Sequence, residues 1–513
     1  MLTLSVKRVD DQDEDEDENP AVNRERDVVH PIVIEAWIQN EINRKVFPLL
    51  CELRVDWTAE IRQTMVLSLA SPSLRMLHLR CDNLAEAIAF GFNDIFRDNL
   101  LHISTNLQSL TLKVDLALMP CDETGLVAFI RGWKQLQEVD LYTTTTYTLL
   151  NSLSSANQLH TLKLCSPGAV SPTTFHPFPA LRDLTLTRCD LATATQFISN
   201  IWSSSLRHVV IYAPCRPPRT HEAFIDLARA LSQRAELETI RILQAGRSIP
   251  NAYNPTADLQ LFVSPLLSLS RLRCLALVLP AIWSAGEDII ASISQAWPAL
   301  EELDIRFLRN KLAISPHIFA LFLNRCSQVR IFNVVLDLSS NLTLADALGN
   351  PSADSERSLA ALLSTPSPTW SSGDELIASI SQAWPALQEL DFAIPGHDLE
   401  ISLNTFALVM SRCPRIRIFN VAVNLFSPVP PLAALRTASA VSDRSLAELR
   451  FTAFQSPPPA FEIAPLVEFL HAACPAVKCR VCWGTCARRG PKLPQVARIQ
   501  ALLDALVLDV HGR

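Results

Sequence analysis

Four cysteines near the carboxyl end come closest to a known kind of chemistry. Cys474, Cys479, Cys482 and Cys486 follow the pattern C-x4-C-x2-C-x3-C, which offers four thiolates to a zinc ion. The spacings from the second cysteine onward are shorter than those of usual zinc-binding pairs of pairs. Cys474 also follows a helical segment and precedes a strand-like one, as Cys326 does in a segment without such a cluster. This recurrence favours packing over metal binding.

Other chemistry has little support in the motifs. The sequence contains no G-x-S-x-G nucleophile turn, no G-x-x-x-x-G-K-S/T phosphate loop and no H-E-x-x-H zinc motif. Twelve glycines in 513 residues also leave little material for loops that cradle phosphates. We therefore expect no enzyme and no cofactor.

Paired acidic residues are the better candidates for a binding site. Two acids separated by one residue lie on the same face of a strand, because successive side chains alternate between the two faces. The strand-like segments contain three such pairs, Glu138 and Asp140, Glu302 and Asp304, and Glu389 and Asp391. They predict a negative patch that binds a protein partner. An ordinary solvated strand face is an equally open interpretation.

A repeated pattern of apolar residues must position these acids. Fourteen segments have the form apolar-x-x-apolar-x-apolar, and residues 181–191 (LRDLTLTRCDL) fill the leucine-rich-repeat pattern L-x-x-L-x-L-x-x-N/C-x-L. The segments begin at Leu50, Leu74, Leu107, Leu136, Leu159, Leu181, Leu206, Leu237, Leu272, Leu300, Val329, Leu387, Ile416 and Leu446. One unit cannot bury its own apolar face, so neighbouring units must stack.

The segments between the predicted strands have a helical period, as in residues 222–232 and 288–297. A strand followed by a helix in each unit predicts an α/β leucine-rich-repeat solenoid. We expect a curved horseshoe with parallel strands on its concave face and helices on its convex face. The acidic pairs would then lie on the concave face.

An internal duplication explains the widest gap in the repeat. Residues 286–336 and 373–423 share 28 identities in 51 positions at an offset of 87, which extends to a copied block of 286–372 and 373–459. The offset also maps Leu359 onto Leu446. We therefore expect a degenerate unit at Leu359 between the units at Val329 and Leu387, and about 15 repeats in all.

Composition sets the remaining boundaries. Eight of the nine residues 10–18 are acidic, and without them the net charge changes from −7 to about +1, which leaves no basic footprint for nucleic acid. We expect a disordered acidic tail over 1–29 and a solenoid over 30–485, which begins with a helical cap over 30–45. A capping helix is expected within 486–513. No signal peptide or apolar stretch of about 18 residues stands out, which predicts an intracellular protein, cytoplasmic or nuclear, that does not contact a membrane.

Several phrases resemble one family of repeat proteins. The segments VFPLLCELRVDWT, SPSLRMLHLRC, FPALRDLTLTRCDL and RCPRIRIFNV resemble the leucine-rich-repeat portion of F-box proteins of mushroom-forming fungi. The resemblance implies substrate capture by the repeats, with an F-box that docks on Skp1 in a cullin ubiquitin ligase. The first 45 residues show no F-box opening. A binding scaffold without ligase coupling, or a GTPase-activating scaffold, therefore remains an alternative.

Overall fold

The computed structural model describes the repeat units and leaves segments between them undescribed. The described residues are 2–5, 49–57, 73–81, 106–114, 123–142, 146–165, 176–214, 222–245, 257–279, 283–284, 288–307, 312–313, 316–334, 336–337, 373–391, 401–421, 423–424, 429, 448–453, 465, 469 and 478–483.

Parallel strands alternate with helices over most of this length. The strands are β1 (Leu2–Ser5), β2 (Glu52–Trp57), β3 (Met76–Cys81), β4 (Ser109–Val114), β5 (Glu138–Leu141), β6 (Thr161–Cys165), β7 (His176–Pro177), β8 (Asp183–Thr187), β9 (Ile201–Trp202), β10 (His208–Pro214), β11 (Thr239–Ala245), β12 (Ala257–Asp258), β13 (Cys274–Leu279), β14 (Trp283–Ser284), β15 (Glu302–Phe307), β16 (Leu312–Ala313), β17 (Ile331–Val334), β18 (Leu336–Asp337), β19 (Glu389–Asp391), β20 (Ile401–Ser402), β21 (Ile418–Asn420), β22 (Val423–Asn424), β23 (Glu448–Ala453) and β24 (Lys478–Trp483). The helices are α1 (Glu123–Gly132), α2 (Tyr147–Ser154), α3 (Leu191–Asn200), α4 (Glu222–Ser232), α5 (Leu259–Leu266), α6 (Asp288–Ala296), α7 (Pro316–Arg325), α8 (Gly373–Ala383) and α9 (Leu403–Arg412). None of these described helices is long and apolar enough to cross a membrane.

All fourteen predicted strands are confirmed, and each begins two residues after the leading apolar residue of its unit. In the unit of Leu181, β8 begins at Asp183, and the side chains of Leu181, Leu184 and Leu186 are almost fully buried. Complete burial of one such side chain contributes about 1.5–3 kcal/mol. The repeated strand and helix form the predicted α/β leucine-rich-repeat solenoid.

The chain divides into two compact units. The first contains Met1–Leu237 and Ile242–Gly246, and the second contains Glu238–Arg241 and Arg247–Arg513, so β11 contributes residues to both. Within the first unit the sheet has the order β1-β2-β3-β4-β5-β6-β8-β10. Within the second unit the order is β13-β15-β17-β19-β21-β23-β24. Three separate two-stranded parallel ladders, β12 with β14, β16 with β18 and β20 with β22, lie outside this sheet.

A shared carbonyl fixes the register between neighbouring strands. The N–H groups of Arg207 and His208 both donate to the carbonyl oxygen of Arg182, each at 2.9 Å. The same double contact recurs where the N–H groups of Glu301 and Glu302 donate to the carbonyl of Arg273 at 2.7 and 3.0 Å. Because a slip by one residue would expose every leucine, the shared carbonyl and the buried leucines specify the same register.

Side-chain caps begin several helices and connect adjacent ones. The carboxylate of Asp190 caps α3 by accepting the N–H of Thr193 at 2.9 Å. Ser402 caps α9 in the same way, and its own N–H and hydroxyl donate to Asp374 Oδ1 at 2.6 and 3.0 Å. Since Asp374 lies in the first turn of α8, this contact joins the starts of two successive helices.

The two copies of the duplicated block share core contacts as well as sequence. Trp297 and Trp384 are both fully buried at the turn from helix to strand. In the following unit the thiol of Cys326 donates to the carbonyl of Trp297 at 3.7 Å, and the thiol of Cys413 donates to that of Trp384 at 3.5 Å. The copied cysteines therefore pack against the preceding unit.

The structure corrects one expectation at the amino end of the chain and adds a strand near the other end. Residues Leu2–Ser5 were expected in a disordered tail but form β1, which pairs in parallel with β2. Alternating Leu2 and Leu4 place this segment in register with Leu53 and Val55. Near the other end, β24 adds a strand that the leucine spacing did not include. The predicted cap over 30–45, the acidic residues 10–18 and the helix within 486–513 lie outside the described residues.

The expected unit at Leu359 does not enter the sheet between its neighbours. Strand β17 pairs directly with β19, with Ile331 opposite Glu389 and Asn333 opposite Asp391. The carbonyl of Arg330 accepts the N–H groups that lead into β19 at 2.8 and 3.1 Å. The prediction of an intervening strand is therefore wrong, and Leu359 itself lies outside the described residues.

Candidate functional site

The side chains of each strand alternate between the core and the opposite face of the sheet. We call the side of each sheet opposite the buried leucines the outer strand face. On β15, Leu303 and Ile305 are fully buried in the core, and Glu302 and Asp304 belong to the outer strand face. This alternation follows directly from the two-residue period of the strand.

The second unit has a regular outer strand face because duplicated strands alternate along it. The first position of each strand reads Glu302, Ile331, Glu389, Ile418 and Glu448 across β15, β17, β19, β21 and β23. Neighbouring strands lie about 4.8 Å apart, so the glutamates recur about every 10 Å with an isoleucine between them. This order arises from the copied block together with the direct pairing of β17 and β19.

The outer strand face of the second unit also carries an arginine that crosses a strand. Arg241 begins on β11 and reaches over β13 to β15, where its Nη2 donates to Glu302 Oε2 at 2.6 Å. On the way its Nε lies 3.4 Å from the sulfur of Cys274. Ala276 stands opposite Asp304 in the ladder, and its small side chain leaves room above β13.

Burial sets the electrostatics of this cluster. Desolvation, with the charge of Glu302 next in importance, raises the pKa of the Cys274 thiol to about 12, so the thiol stays protonated at neutral pH. Burial acts to lower the pKa of Arg241, but the contacts with Cys274 and Glu302 outweigh it and raise that pKa. The cluster therefore holds an ion pair and a neutral thiol, and it offers no thiolate nucleophile.

The predicted acidic residues fall in two places. Glu138 and Asp140 lie on β5 of the first unit, where Glu138 is exposed and accepts the hydroxyl of Ser109 at 3.3 Å. The other predicted acids lie on β15 and β19 of the second unit.

In the second unit, Glu302 and Asp304 are both 9% exposed, and Glu389 is half-buried. Asp391 lies opposite Asn333 in the backbone ladder, and its side chain lies outside the described atoms. Sequence reasoning found the acids but missed Arg241, which compensates the charge of Glu302.

The first unit connects its strands through a polar relay that the sequence did not reveal. The hydroxyl of Thr161 donates to Asp183 Oδ2 at 3.2 Å and lies 3.1 Å from the Nδ1 atom of His160. His208 Nε2 lies 3.8 Å from the other carboxylate oxygen of Asp183. These residues join β6, β8 and β10 across the outer strand face.

A second arginine crosses a strand in the first unit. The guanidinium carbon of Arg188, just after β8, lies 5.4 Å from the ring centroid of Tyr142, just after β5. Between them β6 presents the buried Cys165 at the corresponding position. Arg188 has a φ of 52°, the left-handed backbone region that costs a residue with a β-carbon about 1 kcal/mol or more.

The predicted metal site is only partly within the described chain. Cys479 and Cys482 lie in β24, whose backbone pairs with β23, and Cys474 and Cys486 lie outside the described residues. Within the described ranges no group of three histidine, cysteine or acidic side chains is arranged to hold a metal ion.

Comparisons with known proteins return repeat structures of low identity. No protein-family model and no curated protein sequence matches the chain. Among solved structures, an internalin of Listeria monocytogenes is 13% identical over 60% of this chain and 82% of that chain, with a TM-score of 0.33. A leucine-rich-repeat protein of Leptospira interrogans is 12% identical over 86% of this chain and 98% of that chain, with a TM-score of 0.40. Neither likeness bears on what this chain binds.

Proposed function

We propose that the chain is a protein-binding module of the F-box and leucine-rich-repeat type, which recognises the substrate of an SCF-like ubiquitin ligase. The observation that carries the binding role is the alternation of acids and isoleucines on the outer strand face of the second unit. Surfaces that mix apolar contact with spaced charges suit a partner of defined sequence, because the charges fix its register.

The geometry favours a basic partner with a regular repeat. Glu302 and Glu389 are two strands apart, which is about 10 Å, close to the rise of about 10.5 Å between residues i and i+7 of an α-helix. A helix that lies across the strands could therefore place one cation near each glutamate and apolar residues over Ile331. Glu302 already forms an ion pair with Arg241 on this surface.

The binding role is tested with a helical peptide that carries lysines seven residues apart, measured by fluorescence anisotropy against the full chain. We expect Glu389→Lys combined with Asp391→Asn to weaken binding by about tenfold or more. Glu222→Lys, an exposed charge reversal on α4, is the matched control and should leave the affinity unchanged. Equal affinities for both variants would remove this surface from consideration.

Coupling to a ligase rests on the sequence resemblance of the repeats to fungal F-box proteins. Affinity purification of the full chain tests it, with recovery of Skp1 and a cullin as the expected result. Their repeated absence, together with intact peptide binding, would favour the alternative of a leucine-rich-repeat scaffold without ligase coupling.

A further inference from the structure

Cationic and aromatic side chains collect at the carboxyl ends of the strands in the first unit. We call this set the basic-aromatic edge and define it as Arg80, Lys113, Tyr142, Arg188 and Tyr212. The ladder runs from Arg80 to Lys113 on β3 and β4, and from Cys165 through Thr187 to Tyr212 on β6, β8 and β10. Tyr142 joins it after β5 through its N–H, which donates to the carbonyl of Leu112 at 2.8 Å.

The edge is accessible and carries one sign of charge. Arg80, Lys113 and Arg188 are exposed, and Tyr212 is 42% exposed although most large apolar side chains of the described chain are buried. From β3 to β10 no position of this row is acidic, and the next position, on β2, is Asp56, opposite Arg80. A row of cations next to an accessible ring is a surface that anionic groups approach readily.

Arg188 is held in place at a cost. The left-handed backbone conformation of Arg188 and its contact with the ring of Tyr142 hold the guanidinium over the basic-aromatic edge. A residue with a β-carbon adopts this conformation when its surroundings enforce it, and such strain collects at functional positions. A guanidinium fixed in this way loses less side-chain entropy when it binds a carboxylate.

From these observations we propose that the basic-aromatic edge binds an acidic peptide segment of a partner protein. The row from β3 to β10 crosses five strand spacings, about 24 Å, which an extended peptide of seven or eight residues covers. Carboxylates of the peptide pair with Lys113 and Arg188, and an apolar side chain packs on Tyr212. The inference deepens the proposed protein-binding role, and it does not depend on the acids of the second unit.

A peptide fits this surface better than a nucleic acid does. Glu138, Asp140 and Asp183 lie on the same outer strand face within one or two positions of the row, and Glu138 is exposed. A phosphate backbone is charged at every nucleotide and would place charge against these carboxylates, whereas an extended peptide turns every second side chain away from the surface and can leave those positions to its backbone.

The test measures fluorescence anisotropy of a labelled octaglutamate peptide with the full chain at about 50 mM and about 150 mM salt, because screening weakens exposed charge pairs at the higher concentration. We expect Lys113→Glu combined with Arg188→Glu to lower the affinity by about tenfold or more. Arg229→Glu reverses an exposed charge on α4 and is the matched control, expected to bind as the unchanged chain does. A Tyr212→Ser variant should weaken binding of a peptide in which one glutamate is replaced by leucine more than binding of octaglutamate.

Three outcomes would overturn the proposal. The first is an equal loss of affinity in the control and the double variant. The second is binding of a single-stranded RNA of fifteen nucleotides in place of the peptide. The third is binding of octaglutamate only after the eight acids of residues 10–18 are changed to their amides, since that would make the chain's own acidic run the occupant. Lysine-peptide binding at the second unit should persist in the double variant, so failure here is distinguishable from failure of the proposed function.

Discussion

Arg188 in the first unit and Arg241 in the second both reach across a neighbouring strand, but they contact different kinds of residue. Each lies on or just after one strand, passes a cysteine on the next strand, and reaches a residue on or just after the strand beyond. Arg188 ends on the ring of Tyr142 at the carboxyl ends of the strands. Arg241 ends on the carboxylate of Glu302, which is largely buried in the outer strand face.

The two arginines differ in the chemistry of the group that they contact. Arg241 satisfies a buried acid, so its charge is largely compensated within the second unit. Arg188 meets a neutral ring, whose face attracts a cation. A cysteine beneath the arginine thus accompanies an internal ion pair in the second unit and a cation presented on an aromatic ring in the first.

The largest effect should follow loss of the internal pair. Arg241→Ala leaves Glu302 charged and mostly buried without its cation, and we expect a loss of about 2 kcal/mol in the free energy of unfolding, below the range for fully buried pairs because Arg241 is partly exposed. Chemical denaturation measures it. Adding Glu302→Leu should restore most of the loss, and a double variant as unstable as Arg241→Ala would contradict the pairing.

A bulkier residue beside the path of Arg241 should give the next largest effect. Ala276→Leu places a larger side chain next to Cys274, over which the arginine passes, and we expect about 1–2 kcal/mol of destabilisation through overpacking and displacement of the arginine. Ala276→Ser is the control of similar size. If Ala276→Leu destabilises the Arg241→Ala chain as much as the unchanged chain, the arginine does not use this path.

Removal of Arg188 should lower the free energy of unfolding by less. Arg188→Ala loses a contact with Tyr142 of about 0.5–1 kcal/mol at an exposed site. Arg188→Gly loses the same contact but relieves the left-handed backbone, so it should be more stable than Arg188→Ala by about 1 kcal/mol. Thermal or denaturant unfolding of the two variants separates stacking from strain, and identical stabilities would argue against strain at this position.

The smallest effect concerns pH and the first unit alone. Burial, followed by repulsion from Arg54, lowers the pKa of His78 below its usual 6.5. The folded chain therefore binds a proton less readily at this site than the unfolded chain, so this contribution to stability is complete above about pH 6.5 and is lost as the pH falls toward the lowered pKa. His78→Gln should flatten the pH dependence of the unfolding free energy in that window, and an unchanged slope would exclude the effect.

The strands could be predicted because their signal is local. A leucine that recurs every second residue has to face the core, and the first leucine of each unit marks where the strand begins. The acids of β15 and β19 followed from the same alternation. The helices with strong periodicity, such as α4 and α6, also lie where the sequence indicated.

The crossing arginines could not be predicted, since they depend on which strands adjoin. Arg241 meets Glu302 because β13 alone separates their strands and Cys274, opposite Glu302 on β13, is small, and neither fact is visible in the repeat pattern. The left-handed backbone of Arg188 has no glycine to signal it. The unit expected at Leu359 failed for a related reason: sequence spacing suggests a missing repeat, but only backbone pairing decides which strands are neighbours.

Direct pairing of β17 with β19 has a consequence for how such chains change during evolution. The ladder between these strands is complete across a sequence separation of 58 residues, from Val329 to Leu387, where other neighbours are separated by about half as many. The number of strands in the sheet therefore need not equal the number of copied sequence units. Gene duplication can add sequence here without lengthening the sheet, and the added residues are then free to diverge while the array keeps its register.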